Sequence, residues 1–202
     1  MKIYDTKTAP TPRRVRIFLA EKSIPMEYVE VDLQKGENLS KEMREKNPIG
    51  KIPILELDDG TCISESDAIC AYFEALQPEP FLFGESALEK GQVAMWQRQV
   101  EFGLFMQVGM CFQHTTGYFK DRMKPIKEYG VEAGINAAKF LKLLNRQLEQ
   151  NQFIAGDKFS IADITAMCSI DFARVIDVRV KDEYTALQAW YDKVSARPSA
   201  KA

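Results

Sequence analysis

The sequence predicts a two-part chain, an α/β unit with a small mixed sheet followed by an all-helical unit, and three observations carry that expectation. Strand-like alternation is confined to the first third of the chain. An Asp-Asp-Gly turn joins two of those short strands as a hairpin. From about Leu88 onward only helical periodicity remains.

Each element has its own signal. "MKIYD" at the start is short and alternating, and "MEYVEVDL" alternates through Met26, Tyr28, Val29 and Val31. "IPILELDDGTCI" reads as two strands around the Asp-Asp-Gly turn. Helical spacing appears in Val15, Phe18, Leu19 and Lys22, and again in Ala68, Ile69, Tyr72, Phe73 and Leu76. The resulting order is strand, helix, strand, helix, strand, strand, helix, which suits a mixed sheet with helices on its faces. "QPEPFLFGES" breaks periodicity with Pro78, Pro80 and Gly84, so the expected parts are residues 1–78, a linker over 79–87 and a helical unit over 88–202. In that unit "QVAMWQRQVEFGLFMQVGMCFQH", "VEAGINAAKFLKLLNRQLEQ" and "SIADITAMCSIDFARVI" read as helices, the last of them the most buried.

Bulk properties exclude several function classes. The chain has 202 residues, 46% of them hydrophobic, 28% charged and 10% aromatic, enough for a substantial core without staples. Lys plus Arg number 27 against 29 Asp plus Glu, so no strong field draws nucleic acid or an anionic membrane. Cys62, Cys70, Cys111 and Cys168 are scattered without a CxxC pair, and the one histidine, His114, completes no zinc motif with them. No metal and a reduced, cytoplasmic setting are therefore expected.

Three N-terminal segments carry candidate chemistry. In "KTAPTPRRVR", Thr11 followed by Pro12 is a good helix start, with Thr11 as cap and the helix N-terminus open to an anion such as a thiolate. In "NPIGKIPIL", Pro53 opens a short strand; a cis Ile52-Pro53 bond would turn the Ile52 backbone outward to pair with an extended peptide-like ligand. In "DDGTCISESDAICAYF", Ser66 is the expected cap of a second helix whose N-terminus suits a carboxylate. Each segment, taken alone, is equally an ordinary capped helix or an edge-strand proline.

Taken together and in this order, the segments resemble the cytosolic glutathione S-transferase family over essentially the whole chain. "NPIGKIPIL" and "ISESDAICAYFEAL" resemble its glutathione-binding segments, "FSIADITAM" its capping-box helix and "LQAWYDKVSARPSAKA" its usual ending. The resemblance implies a thioredoxin-like N-terminal domain, an all-helical C-terminal domain, a homodimer, and glutathione as co-substrate held mainly by the first domain. Carried over, Ile52 with Pro53 would pair with the cysteinyl backbone, Glu65 and Ser66 would hold the γ-glutamyl end, and Lys51 with Asn38 would face the glycyl carboxylate. The opening motif is similar to a bacterial serine- or cysteine-using branch, in which the thiol-activating residue stands six positions before the valine of "RRV". Here that position is Ala9. Tyr4 lies inside the strand and does not replace it, so Thr8, or Thr11 with the backbone N–H groups of the helix start, is expected to stabilise the thiolate.

The implied activity is transfer of glutathione to small hydrophobic electrophiles, with a pocket for the second substrate from Met106, Met110 and Gln113, which share helical spacing. Two alternatives stay open at this point: a glutathione-binding or scaffold protein, since fold does not fix function and Ala9 lacks a hydroxyl, and a glutathione-dependent peroxidase, reductase or isomerase. The remaining features read as structural. Ser160 with Asp163 forms a capping pattern, His114 a core-edge polar group, Cys62 and Cys70 space-filling thiols, and Arg13, Arg14 and Arg16 a solvated outer face of the first helix.

Overall fold

A computed structural model describes residues 1–202, and the chain divides into two compact units: Met1–Leu82 together with Pro198–Ala202, and Phe83–Arg197. The first unit is built on β1 (Lys2–Asp5), α1 (Pro10–Glu21), β2 (Glu27–Glu30), α2 (Lys41–Lys46), β3 (Ile54–Glu56), β4 (Cys62–Ser64) and α3 (Ser66–Leu76). The sheet order is β2-β1-β3-β4, with β1 parallel to β2 and the other pairs antiparallel. The expected hairpin is β3 and β4. Its turn is held by the Asp59 carboxylate, which accepts from the Thr61 N–H at 2.9 Å, and by Gly60 at φ 85°, a conformation glycine adopts without steric cost.

Period-two alternation divides the core between the sheet faces. Tyr4 and Ile54, paired across β1 and β3, join Val31, Met43 of α2 and Ile52 in one buried cluster. Their neighbours Ile3 and Leu55, also paired, point to the opposite face, which serves α1 and α3, two helices packed on each other. Val15, Phe18 and Leu19 of α1 and Ile69 and Phe73 of α3 are all 2% exposed or less.

Two helix starts differ from expectation. α1 begins at Pro10 with Ala9 as its N-cap, so Thr11 is the second helical residue and caps nothing. Proline suits the first turn of a helix wherever the N–H would be unsatisfied, and Pro10 and Pro12 both fall within it. α3 begins at Ser66 with Glu65 as N-cap at φ 71°, an uncommon left-handed conformation for a residue with a side chain. The arginines of α1 also depart from the solvated reading. Arg14 is buried, Arg16 pairs with Asp5, and Arg13 donates to the Ala200 carbonyl at 2.9 Å. Lys22, on the apolar stripe with Val15, Phe18 and Leu19, is buried as well. Its ammonium donates to the carbonyls of Gln77, Pro78 and Pro80 at 2.7, 3.0 and 2.9 Å and pairs with Glu74 at 2.7 Å.

The second unit is helical throughout: α4 (Ala87–Val100), α5 (Met106–Thr115), α6 (Lys127–Leu148), α7 (Ile161–Ala173) and α8 (Thr185–Ser195). A π-helical turn, Glu101–Phe105, joins α4 to α5. Within it Gly103 is required by packing, since a Cβ there would come within 2.2 Å of the Phe140 ring of α6. No helix is long and apolar enough to cross a membrane. Cys70, Cys111 and Cys168 are buried, Cys62 is half-buried, and all four are free thiols.

Ser160 and Asp163 form the expected capping pattern at the start of α7, and the structure extends it. The Asp163 carboxylate accepts from the N–H and hydroxyl of Ser160 at 2.9 and 3.1 Å, from the Ile154 N–H at 3.0 Å and from the Trp190 indole at 2.8 Å. Burial pushes this carboxyl above the ordinary aspartate range, against hydrogen bonds that favour its ionised form. Asp163→Ala strands three buried N–H donors, each worth about 1–3 kcal/mol when left unsatisfied. A loss of at least about 3 kcal/mol is expected in urea denaturation.

On the first unit's sheet, Glu56 accepts from Lys46 at 2.6 Å and from the Tyr4 hydroxyl at 2.8 Å. The Lys46 hydrogen bond, followed by that of Tyr4, lowers its carboxyl to about 2. A depressed carboxyl contributes stability that is present above the unfolded value of 4.5 and is lost as pH falls from there toward 2. In Glu56→Gln the melting temperature should therefore fall less steeply over that window than in the parent; equal slopes would show the pair to be without effect.

Candidate functional site

Sheet register alone brings the N-terminal candidates to one edge. Tyr4 pairs with Ile54 and Ile54 with Ser64, so one step further along the antiparallel ladders the end of β1 meets the Ile52-Pro53 bend and Glu65. The loop after β1, with Thr8 and Ala9, leaves the sheet at that same end and leads into α1. A direct hydrogen bond ties the two helix starts there: the Ser66 hydroxyl, buried, donates to the Thr11 carbonyl at 2.9 Å.

The Ile52-Pro53 bond is cis, and the strand ladder begins only at Ile54, so the Ile52 N–H and C=O stand outside it. The segment before them is braced by side-chain amides. Asn47, which is buried, donates to the Lys51 carbonyl at 2.8 Å and accepts from the Ile49 N–H at 3.3 Å. Asn38 donates to the Gly50 carbonyl at 2.6 Å, which brings it next to Lys51; its carbonyl oxygen is buried without a partner. The Lys51 side chain is exposed.

The helix starts offer different donor sets. Among the first three residues of α1, Pro10 and Pro12 lack an N–H, so Thr11 carries the one backbone N–H there. In the first turn of α3, Ser66, Asp67 and Ala68 all carry N–H groups. Such termini favour anions through free N–H groups and the helix dipole. Thr8 is exposed, Ala9 and Thr11 are half-buried, and Glu65 is exposed at the mouth of α3.

In the second unit, Met106, Met110 and Gln113 lie along a single stripe of α5, with Met106 42% exposed. His114, at the end of α5, is a half-buried polar group whose Nδ1 accepts from the Ile126 N–H at 2.9 Å, and its ring meets Tyr129 edge to face. No group of three or more His, Cys, Asp or Glu side chains stands ready to hold a metal ion. Residues around the site that spacing did not disclose are Asn47, Asp5, Arg16 and Glu30. Only the Asn-Pro pair at 47–48 is a local signal for the first of them; Asp5 and Arg16 meet where α1 packs back on β1, and Glu30 reaches the loop from the neighbouring strand.

Comparison with known proteins agrees with this geometry over both units. Residues 3–81 match the family model "Glutathione S-transferase, N-terminal domain", and residues 110–198 match "Glutathione S-transferase, C-terminal domain". Glutathione S-transferase 2 of Saccharomyces cerevisiae is 39% identical over 205 residues, spanning all of this chain and 88% of the yeast protein. The crystal structure of Gtt2 from the same yeast superimposes with a TM-score of 0.95 at 39% identity, covering 100% of this chain and 99% of the other. A probable elongation factor 1-gamma 1 of Arabidopsis thaliana is 29% identical over 89% of this chain, which matches 45% of that longer protein. The sheet edge with its two helix starts, the helical unit and these full-length matches lead to one conclusion: the chain belongs to the glutathione S-transferase family, enzymes that use glutathione as co-substrate.

Proposed function

We propose that the protein conjugates the glutathione thiolate to small hydrophobic electrophiles. The observation that carries this reading is the convergence of two helix N-termini and the Ile52 backbone on one sheet edge. In this reading Ile52, next to Pro53, pairs with the cysteinyl backbone as an added strand would. The N–H groups of α3, Ser66 first, and the Glu65 side chain hold the γ-glutamyl end. Because the Ser66 hydroxyl gives its proton to Thr11, it meets the ligand through its N–H and its oxygen lone pairs. Lys51 supplies the charge opposite the glycyl carboxylate, with Asn38 fixing the backbone beside it.

The thiol lies at the start of α1, where Ala9 has no hydroxyl to offer. The Thr8 hydroxyl and the Thr11 N–H, with the Thr11 hydroxyl beside it, then stabilise the thiolate. A hydrogen bond to a charged group contributes about 1.5–3 kcal/mol, enough to lower a thiol by one to two pH units. The sulfur forms the new bond to the electrophile's carbon, and the leaving group departs with its electron pair. Met106, Met110 and Gln113 supply adaptable apolar surface with one polar group for that second substrate. The functional assembly in this reading is a homodimer.

A second reading, a glutathione-binding or scaffold protein, is favoured by Ala9 at the activating position and by the similarity to part of elongation factor 1-gamma. Titration of protein-bound glutathione, followed by thiolate absorbance, separates the two. The transferase reading expects a thiol pKa well below the ordinary thiol value of about 8.5, restored toward it in a Thr8→Val, Thr11→Val variant with a matching loss of conjugation rate at neutral pH. An unshifted thiol in the parent chain would give precedence to the binding protein. An unchanged rate in the double variant would remove the threonines from the mechanism.

A further inference from the structure

The loop from Thr6 to Ala9 is held by an unusual number of tethers for so short a segment. From the α1 side, the Arg16 guanidinium grips both oxygens of Asp5 at 2.8 and 2.6 Å with one nitrogen and donates to the Lys7 carbonyl at 3.2 Å with the other. From the β2 side, a single oxygen of Glu30 accepts from the Thr6 hydroxyl at 2.8 Å and from the Lys7 N–H at 3.3 Å. The Ala9 N–H closes back on the Thr6 carbonyl at 3.3 Å. Asp5 is buried, Arg16 is mostly buried, and Glu30 is exposed. The Lys7 peptide is thus clamped at both its N–H and its C=O, and the exposed residue directly after it is Thr8.

We propose that Arg16, anchored by Asp5, is a positioning residue of the thiolate site, fixing the Lys7 peptide and through it the place of the Thr8 hydroxyl. This rests on the reading in which Thr8 and the start of α1 hold the thiolate. The chemistry demands a guanidinium. Its planar fork presents two nitrogens at once, so one side chain neutralises a buried carboxylate and still reaches a backbone carbonyl, whereas an ammonium is a compact point charge. The groups that face the clamp are Asp5 on β1, Tyr28 and Glu30 on β2, Arg16 on α1, and Lys7 itself, whose side chain is exposed. Burial pushes the Tyr28 phenol up, with Asp5 reinforcing the shift and Arg16 opposing it, so Tyr28 senses the pair without being charged near neutral pH.

Arg16→Lys is the discriminating variant because it keeps the charge opposite Asp5 and removes the second nitrogen. The pH profile of kcat/KM and the titration of bound glutathione are measured for the parent, Arg16→Lys, Thr8→Val and the double variant. The acidic limb in Arg16→Lys should move up by about one pH unit, equivalent to about a tenfold loss below the parent thiol pKa, with glutathione affinity held within about twofold. Adding Thr8→Val should then produce little further shift, since both changes remove one effect. Glu30→Ala provides a second arm that leaves the buried pair intact, in case Arg16→Lys fails to fold. Deleting a carboxylate near a thiolate lowers its pKa by charge alone, so an upward shift in Glu30→Ala reports the freed loop.

An unmoved profile in Arg16→Lys with only a lower melting temperature, a full additive shift with Thr8→Val, or a downward shift in Glu30→Ala would overturn the role of the clamp. Failure of the underlying reading is seen separately, as a bound thiol that is unshifted in the parent chain itself.

Discussion

An ammonium group shut away from water sets the frame of the N-terminal unit. Lys22 stands just past the end of α1, and its three N–H donors have no solvent to turn to, so the carbonyls of Gln77, Pro78 and Pro80 and the carboxylate of Glu74 must close around it. Gln77 answers by donating to the Lys22 carbonyl at 2.8 Å. The C-terminal ends of α1 and α3 are thereby joined, while at their N-terminal ends the Ser66 hydroxyl holds the Thr11 carbonyl. Two helices tied at both ends cannot slide along each other without breaking buried polar contacts. The register of their starts, on which the candidate site depends, is fixed by those ties.

Much of the architecture is legible in the residue pattern. The alternation in "MKIYD" and around the Asp-Asp-Gly turn yields β1, β3 and β4, and the apolar spacing of Val15, Phe18 and Leu19 yields α1. The resemblance of the three N-terminal segments to glutathione S-transferases points to the sheet edge that register then assembles. Helix starts are less legible, because Pro10 and Pro12 satisfy the same local preference and Glu65 takes a left-handed cap conformation that no propensity favours. Least legible are the charges. Their residue types do not announce the burial of Arg14 and Lys22 or the pairing of Arg16; the partners of Arg16 sit on β1 and in the loop after it, and those of Lys22 at the far end of another helix. Helical periodicity places Lys22 on the apolar stripe, yet only the tertiary fold supplies the carbonyls that make that place tolerable.

The helical unit shows the same dependence on a single buried acid. Asp163 joins the nearby segment at Ile154 and the start of α7 to the Trp190 indole of α8, 27 residues on, so one carboxylate organises three pieces of chain. The π-helical turn at Glu101–Phe105 is a different kind of device. A wider turn inserts one residue into the helical ladder, and the buried stripe runs on through it from Val93, Gln97 and Val100 by way of Leu104 to Val108 and Cys111, leaving Met106, Met110 and Gln113 off that stripe. Gly103, under the Phe140 ring, is the residue that lets this turn lie close against α6.

The prolines at the first and third positions of α1 have a consequence for which anions the helix start can serve. Oxyanions such as phosphate or sulfate present several oxygens and are cradled by successive amides, as at glycine-rich helix starts. Over its first three residues α1 carries one, at Thr11, flanked on either side by a ring that donates nothing. An anion whose charge rests on a single atom loses little at such a terminus, and one that spreads its charge over three loses most of its partners. In the reading proposed above, the imino rings act as a filter on charge distribution that favours a thiolate over a polyatomic oxyanion at α1, while the start of α3, with an N–H on each of Ser66, Asp67 and Ala68, suits a carboxylate.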